Sequence, residues 1–357
     1  MKKLVSLLLA GAMALSMVAC GNKTAEIALV TDVGTIDDKS FNQGSWEGVV
    51  KFTEENNISS QYYQPTEKST EAFSTAIELA IKGGAKTVVC PGYLFEVSVY
   101  QMQEKYPDVN FIIIDGSPKE SEEPTAEVKV GDNTVSIFFA EQEAGFLAGY
   151  ASVMEGYRNL GFMGGIAVPA VIKFGYGFIQ GAEYAGKELG LNKDDIKIRY
   201  TYVGDFKASP EHTTKASAWY NDGVEAIFVA AGGVGNSVMK AAEAIEGKKV
   251  IGVDVDQSSE SETVITSAMK NLQNAVYAEL KQIYEGKFDG GKTLILDASN
   301  ENVLLPMENS KFQNFTKEQY DEIYKKIANK EIEIGTETMA ENVSDIKTEI
   351  VTLDVEN

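Results

Sequence analysis

The chain reads as an α/β protein built from two doubly wound, parallel-sheet lobes joined by crossing strands, on three observations. Short apolar, mostly β-branched runs recur along it from Ile27 onward. They are apolar throughout rather than alternating, as parallel strands covered on both faces require. Helix-length amphipathic stretches ending near glycines separate them, and 357 residues are enough for two cores.

In the first half the expected strands are Ile27–Thr31, Thr87–Cys90 and Phe111–Ile114. In the second half they are Leu160–Met163, Ile198–Tyr202, Ala226–Ala230 and Val250–Val253. Over 71–82, Ala72, Phe73, Ala76, Ile77, Ala80 and Ile81 share one helical face, and Gly83-Gly84 ends the helix. The stretches 175–189 and 270–286 have similar spacing. No low-complexity linker separates the halves, so crossing strands are expected, for which Thr263–Thr266 and Thr293–Leu296 are short enough. The first lobe is expected to take 26–133 and 268–295, and the second 134–267 and 296–335. Residues 336–357 form a tail with no strong pattern.

Residues 1–19 differ from the rest. Lys2 and Lys3 precede an apolar run, Leu4 to Ala14, which is too short to span a bilayer and reads as a secretory signal. Leu15-Ser16-Met17-Val18-Ala19-Cys20 resembles a bacterial lipobox, with Met17 where leucine is usual. Cleavage would leave a lipidated Cys20 on a short tether, residues 20–25, at the extracytoplasmic face of a membrane. Cys90 then has no disulfide partner and is expected to be a small buried hydrophobe on a strand. The formal charge is −21, and losing Lys2 and Lys3 takes it to −23. Such a chain is no partner for a nucleic-acid polymer and is repelled by anionic headgroups, so a membrane must hold it by lipid.

Open α/β sheets bind ligands beyond the carboxyl ends of their strands. Those ends carry Asp32 in Thr31–Gln43, Asp115-Gly116, Ala231-Gly232-Gly233-Val234-Gly235-Asn236 and Asp254-Val255-Asp256-Gln257, with Lys270 expected to open the helix after Ser267. Carboxylates there can accept paired hydrogen bonds from vicinal hydroxyls or ring N–H groups, and aromatics can cover a flat ring. Each residue also has a structural reading: helix cap for a lone Asp or for Asp37-Asp38, core for Phe41. Gly232-Gly233-Val234-Gly235 lacks the Lys-Ser/Thr of a phosphate loop, and Asp254-Val255-Asp256 is too short for a calcium loop. There is no nucleophile elbow, HExxH or CxxC, and the sole histidine, His212, lies in a polar stretch and is expected at a surface. No catalytic residue, metal or cofactor is expected. Composition and spacing lead to a two-lobed extracytoplasmic binding protein, its ligand open.

A resemblance goes further. Val30-Thr31-Asp32-Val33-Gly34-Thr35-Ile36-Asp37-Asp38-Lys39-Ser40-Phe41-Asn42-Gln43, then Trp46-Glu47-Gly48, closely resembles the opening signature of the basic membrane protein (Bmp/PnrA-type) lipoproteins. Gly145-Phe146-Leu147-Ala148-Gly149, Gly161–Ile166, Phe174 with Gly177-Phe178 and Gly181, Ala230–Gly233 and Ile251–Asp254 continue it in order over nearly all of 26–330. The resemblance implies a type I periplasmic-binding-protein fold that delivers nucleosides, typically purine nucleosides, to the permease of an ABC importer. Carried across, it implies that Asp32 and Asn42 bind the ligand's polar edge, that Phe41 stacks on the base and that Asp115 faces it. It implies Phe206 as the second ring and Phe174 as the alternative, because Lys207-Ala208 stands where the family continues with Asp. Gly232 would admit the backbone, and Asp254 and Lys270 would hold the ribose hydroxyls. The rival readings are a sugar or autoinducer-type receptor of the same fold, and an extracytoplasmic nucleoside hydrolase, which would need an Asp cluster supported by histidine.

Overall fold

The computed structural model describes residues 24–123 and 125–356, and in it the apolar runs become the inner strands of two sheets. The first part of the chain runs β1 (Ile27–Val30), α1 (Phe41–Asn56), β2 (Ser60–Tyr63), α2 (Thr70–Lys82), β3 (Thr87–Pro91), α3 (Glu96–Lys105), β4 (Asn110–Ile114) and β5 (Thr134–Phe139). Next come α4 (Glu141–Glu155), β6 (Asn159–Gly164), α5 (Pro169–Glu188), β7 (Ile196–Tyr202), α6 (Pro210–Asn221), β8 (Ala226–Ala230), α7 (Val234–Glu243) and β9 (Lys249–Asp254). The chain ends with β10 (Val264–Lys270), α8 (Leu272–Tyr284), β11 (Lys292–Leu296), β12 (Val303–Leu304), α9 (Lys317–Ala328) and β13 (Val351–Val355). The first sheet has the order β11-β5-β4-β3-β1-β2, all parallel. The second has the order β12-β10-β9-β8-β6-β7-β13, parallel except for the short β12 edge.

Burial explains the composition of the inner strands. Every residue of β1, β3 and β8 is buried, so none alternates with a polar partner. Cys90 is one of them, fully buried in β3, where burial pushes its thiol up. Ser69 caps α2 by accepting the Ala72 N–H, and Gly83 follows its last turn. At α1 the residue at the cap position, Ser40, makes no such bond. Asp38 does this instead, its carboxylate accepting the backbone N–H groups of Ser40, Asn42 and Gln43 at 2.9–3.1 Å.

The lobe boundaries differ from those expected. Residues 134–139 pair with β4 and belong to the first sheet, not the second lobe. Buried Thr134 and Ser136 interrupt the apolar run and hide the strand from a reading by hydropathy. Thr263–Thr266 is no crossing, because 264–270 is a strand paired with β9, and residues 268–270 therefore lie in the second lobe. Thr293–Leu296 is the edge strand of the first sheet. The chain crosses between lobes in loops, at Ala140, at Asn271 and over 297–302. The C-terminal stretch is also built in: β13 pairs with β7, and Glu183 accepts the backbone N–H groups of Glu349, Ile350 and Val351. A five-residue edge strand with only one fully buried residue carries little hydropathic signal. His212 is another correction: it is buried on α6 rather than exposed. The signal segment 1–19 and Cys20 lie outside the described residues, and among those described no helix is long and apolar enough to cross a membrane.

Helices α4 and α5 pack closely through the glycines of the family pattern. A Cβ on Gly145 would lie 2.1 Å from the Phe174 carbonyl oxygen, and one on Gly181 2.0 Å from that of Phe146. Backbone cannot yield as a side-chain tip can, so Gly145→Ala should destabilise the chain by about 1–3 kcal/mol or more. Thermal unfolding checks this. A melting point equal to that of the parent would mean that the helices separate without cost.

Candidate functional site

The carboxyl ends of both sheets face one cleft, whose free space, its open mouth included, is about 740 Å³. Asp32, Phe41, Asn42 and Asp115 line it from the first lobe, and Phe206, Gly232, Asp254 and Lys270 from the second. Phe174 lines it too, so all eight predicted residues and the alternative ring share one space. Three residues at strand ends bend the chain there. Asp115 just after β4, Gly232 just beyond β8 and Asp254 at the end of β9 have φ of 55°, 53° and 66°. Glycine adopts this left-handed region freely and aspartate better than most residues, so these turns suit the residue types present.

Lys270 is at the floor. It is the last residue of β10, not the start of a helix, and it is 3% exposed. Its Nζ donates to Asp115 Oδ2 at 2.6 Å and lies 3.5 Å from Asp254 Oδ1 and 3.6 Å from Glu141 Oε1. The same ammonium sits 4.5 Å from the centre of the Phe41 ring and 5.7 Å from that of Phe174. Burial alone would lower the lysine's pKa, but the Asp115, Asp254 and Glu141 carboxylates outweigh it and hold the group above its ordinary value. The principal partner of Lys270 is thus Asp115, across the lobes, rather than Asp254. Asp254 instead accepts the Ser40 hydroxyl at 2.5 Å, a second contact between lobes. Burial pushes the Asp254 carboxyl up, against the pull of Lys270 and the Ser40 bond.

At the other end of the cleft, Asp32 Oδ1 accepts from the Gly34 N–H at 2.7 Å and from Asn42 Nδ2 at 2.8 Å. Asn42 Oδ1 accepts the Asp32 N–H in return, which fixes the amide's orientation. Burial pushes the Asp32 carboxyl up to about 6, opposed by the Gly34 and Asn42 bonds. Gly34 must be glycine here, since a Cβ would come within 2.6 Å of Asn42 Nδ2. The aromatic residues differ in freedom. Phe174 is 2% exposed and packs edge-on against Phe228, whereas Phe41 and Phe206 are half-buried and have surface to offer a ligand.

Sequence reasoning missed Glu141 and understated Asp38. Glu141 begins α4 directly after the crossing at Ala140, is 1% exposed and pairs with Lys173 at 3.4 Å as well as Lys270. Burial and the Asp115 charge push its carboxyl up to about 7, against the pull of Lys270 and Lys173. Its signal is an acid directly beyond a strand tip, as at Asp115 and Asp254, but it shows only once 134–139 is read as a strand. Asp38 both caps α1 and lines the cavity.

The cavity is therefore rich in acceptors. Asp115 Oδ1 is buried without a hydrogen-bond partner among the described residues. Four carboxylates line the space with one ammonium, an arrangement suited to a ligand rich in O–H or N–H donors and hostile to phosphate. Two lobes around such a cleft, joined by three crossings, define a solute-binding protein of the type I periplasmic fold. A solute-binding protein of an ABC transporter system from Aeropyrum pernix K1 has this fold at a TM-score of 0.74, over 90% of this chain and 95% of that one, at 22% identity. The family model described as "ABC transporter substrate-binding protein PnrA-like" matches residues 25–338, and the chain belongs to that family. Basic membrane protein D of Borreliella burgdorferi is 32% identical over 337 residues, 91% of this chain and 90% of that protein. The ABC transporter nucleoside-binding protein BmpA of Lactococcus lactis subsp. cremoris is 29% identical over 305 residues, 79% of this chain and 82% of that protein.

Proposed function

We propose that this substrate-binding protein is a lipid-anchored extracytoplasmic receptor for nucleosides, purine nucleosides above all, which it passes to an ABC permease. The observation that carries the reading is the floor of the cleft. There Lys270 and Asp254 lie beside an unpartnered Asp115 oxygen, under half-buried aromatic rings from opposite lobes. A ribose supplies vicinal hydroxyls for Asp254 and Lys270, and a base supplies N–H donors for Asp115 or Asp32 and a face for Phe41 and Phe206. Stacking contributes about 1–3 kcal/mol per ring. A deoxyribose leaves a buried acceptor unpaired, at about 1–3 kcal/mol. The name of the Lactococcus relative supports the ligand class. Cys20 would supply the anchor, and lobe closure over the ligand the surface offered to the permease.

The test is a thermal-shift and calorimetric screen of the chain from residue 20 onward against ribonucleosides, deoxynucleosides, free bases and pentoses. Purine ribonucleosides should raise the melting temperature most, with deoxynucleosides about 10-fold or more weaker. Stabilisation by a sugar and by no nucleoside would overturn the reading in favour of a sugar receptor.

A further inference from the structure

One half-buried aromatic of the cleft, Phe206, is held in an unusual way. It lies in the loop between β7 and α6, and its neighbours Asp205, Lys207 and Ala208 are all exposed. No apolar side chain next to it in sequence anchors the loop. One side of the ring rests on backbone, since a Cβ on Gly165 would lie 2.3 Å from Phe206 Cε1. Beyond the ring's own packing against the core and the Gly204 N–H bond to the Gly165 carbonyl, polar side chains fix the loop. Asp205 Oδ1 accepts the Lys207 N–H at 2.9 Å, closing a tight turn around Phe206, and also meets His212 Nε2 at 3.1 Å. His212 is 6% exposed in the first turn of α6, where its own N–H is held by Ser209 Oγ. Ser209 in turn exchanges two hydrogen bonds with Ser237 of α7, at 3.0 Å each. The imidazole is thus a rigid post and the Asp205 carboxylate a tie from it to the turn that carries Phe206.

We infer that His212 is a positioning residue for ligand recognition, which through Asp205 fixes the angle and depth at which Phe206 enters the cleft. This rests on the nucleoside reading above, in which Phe206 covers one face of the base. Asp205 is about half exposed, so the tie adds little to global stability and its weight falls on the loop. Losing it lets the turn rotate, and the ring must then be ordered by the ligand at the expense of affinity. The tie also explains how Lys207 can stand after Phe206: the loop uses the residue's backbone N–H, and its exposed side chain is free to vary.

The experiment is a double-mutant cycle on purine ribonucleoside affinity by calorimetry, using His212→Ala, Phe206→Ala and the pair. His212→Ala should weaken binding about 3–10-fold, the scale of one hydrogen bond. It should have no further effect once Phe206 is alanine. His212→Gln, which keeps a donor near the Nε2 position, should recover most of the loss. The ratio of ribonucleoside to deoxynucleoside affinity should not move, because the ribose hydroxyls fall to Asp254 and Lys270 rather than to Phe206. Should the buried substitution impair folding, Asp205→Ala at the exposed end serves in its place. Additive effects of the two alanines, or unchanged affinity in His212→Ala, overturn the inference. A parent chain that binds no nucleoside overturns the functional reading instead.

Discussion

Asp254→Ala should reduce ribonucleoside affinity by about 100-fold or more while the chain stays folded. The loss follows from two charge-assisted hydrogen bonds, each about 1.5–3 kcal/mol, that the carboxylate would accept from vicinal hydroxyls. Stability is spared because of what surrounds the residue. With Asp254 gone, Lys270 still has Asp115 at 2.6 Å and Glu141 at 3.6 Å, so no buried cation is stranded. The lost carboxylate was itself held at a cost, since burial pushes it above the usual range. Two terms run the other way: the Ser40 contact disappears, and alanine fits the φ of 66° less well than aspartate, by about 1–2 kcal/mol. Asp254→Asn avoids the backbone term and serves as the control. Calorimetry for binding and scanning calorimetry for unfolding read the two quantities separately. Losses of equal size in both would end the ribose role.

The sequence showed the cleft better than it showed the lobes. Asp32, Asp115 and Asp254 were legible because an acid at the tip of an all-apolar strand is conspicuous, and strand tips in such sheets converge on one place. The lobe boundaries were illegible because they depend on polar residues buried inside strands. Thr134 and Ser136 break the run that would have announced β5, and Glu141 was lost with it. Lys270 was recognised by resemblance but placed on the wrong element, since Ser267 masks the strand it ends. Its main partnership was not legible at all. Whether Lys270 serves Asp254 or Asp115 is decided by how far apart two lobes hold their carboxylates, which no local pattern encodes. The sequence named Phe206 as the second ring with Phe174 as its alternative only by resemblance; what separates the two physically is packing, because Phe174 lies against Phe228 while Phe206 is half-buried.

Lys270→Met should have the largest effect on stability of any single substitution in the cleft, and its size should depend on pH. Methionine nearly matches the lysine stem in volume but removes the ammonium that three carboxylates share, Asp115 at 2.6 Å, Asp254 at 3.5 Å and Glu141 at 3.6 Å. Removing one partner from a buried ion cluster costs about 3–5 kcal/mol, because the remaining charges are left uncompensated. The cost has a sign in pH. Burial already pushes Asp254 up and Glu141 to about 7, above their unfolded values, so the folded chain binds more protons than the unfolded one in that window. Stability therefore falls as pH rises from the ordinary carboxylate range through about 7, and loss of Lys270 raises the carboxyls further and steepens the fall. The deficit of Lys270→Met relative to the parent should thus be smaller at pH 5 than at pH 8. Adding Glu141→Gln should return part of the stability at pH 8 without returning ligand binding, since the site would still lack its cation. Denaturant titrations at both pH values measure this directly. A deficit that does not vary with pH would instead assign the lysine's weight to its contacts with the Phe41, Phe139 and Phe174 rings, where the charge faces aromatic surface rather than carboxylate.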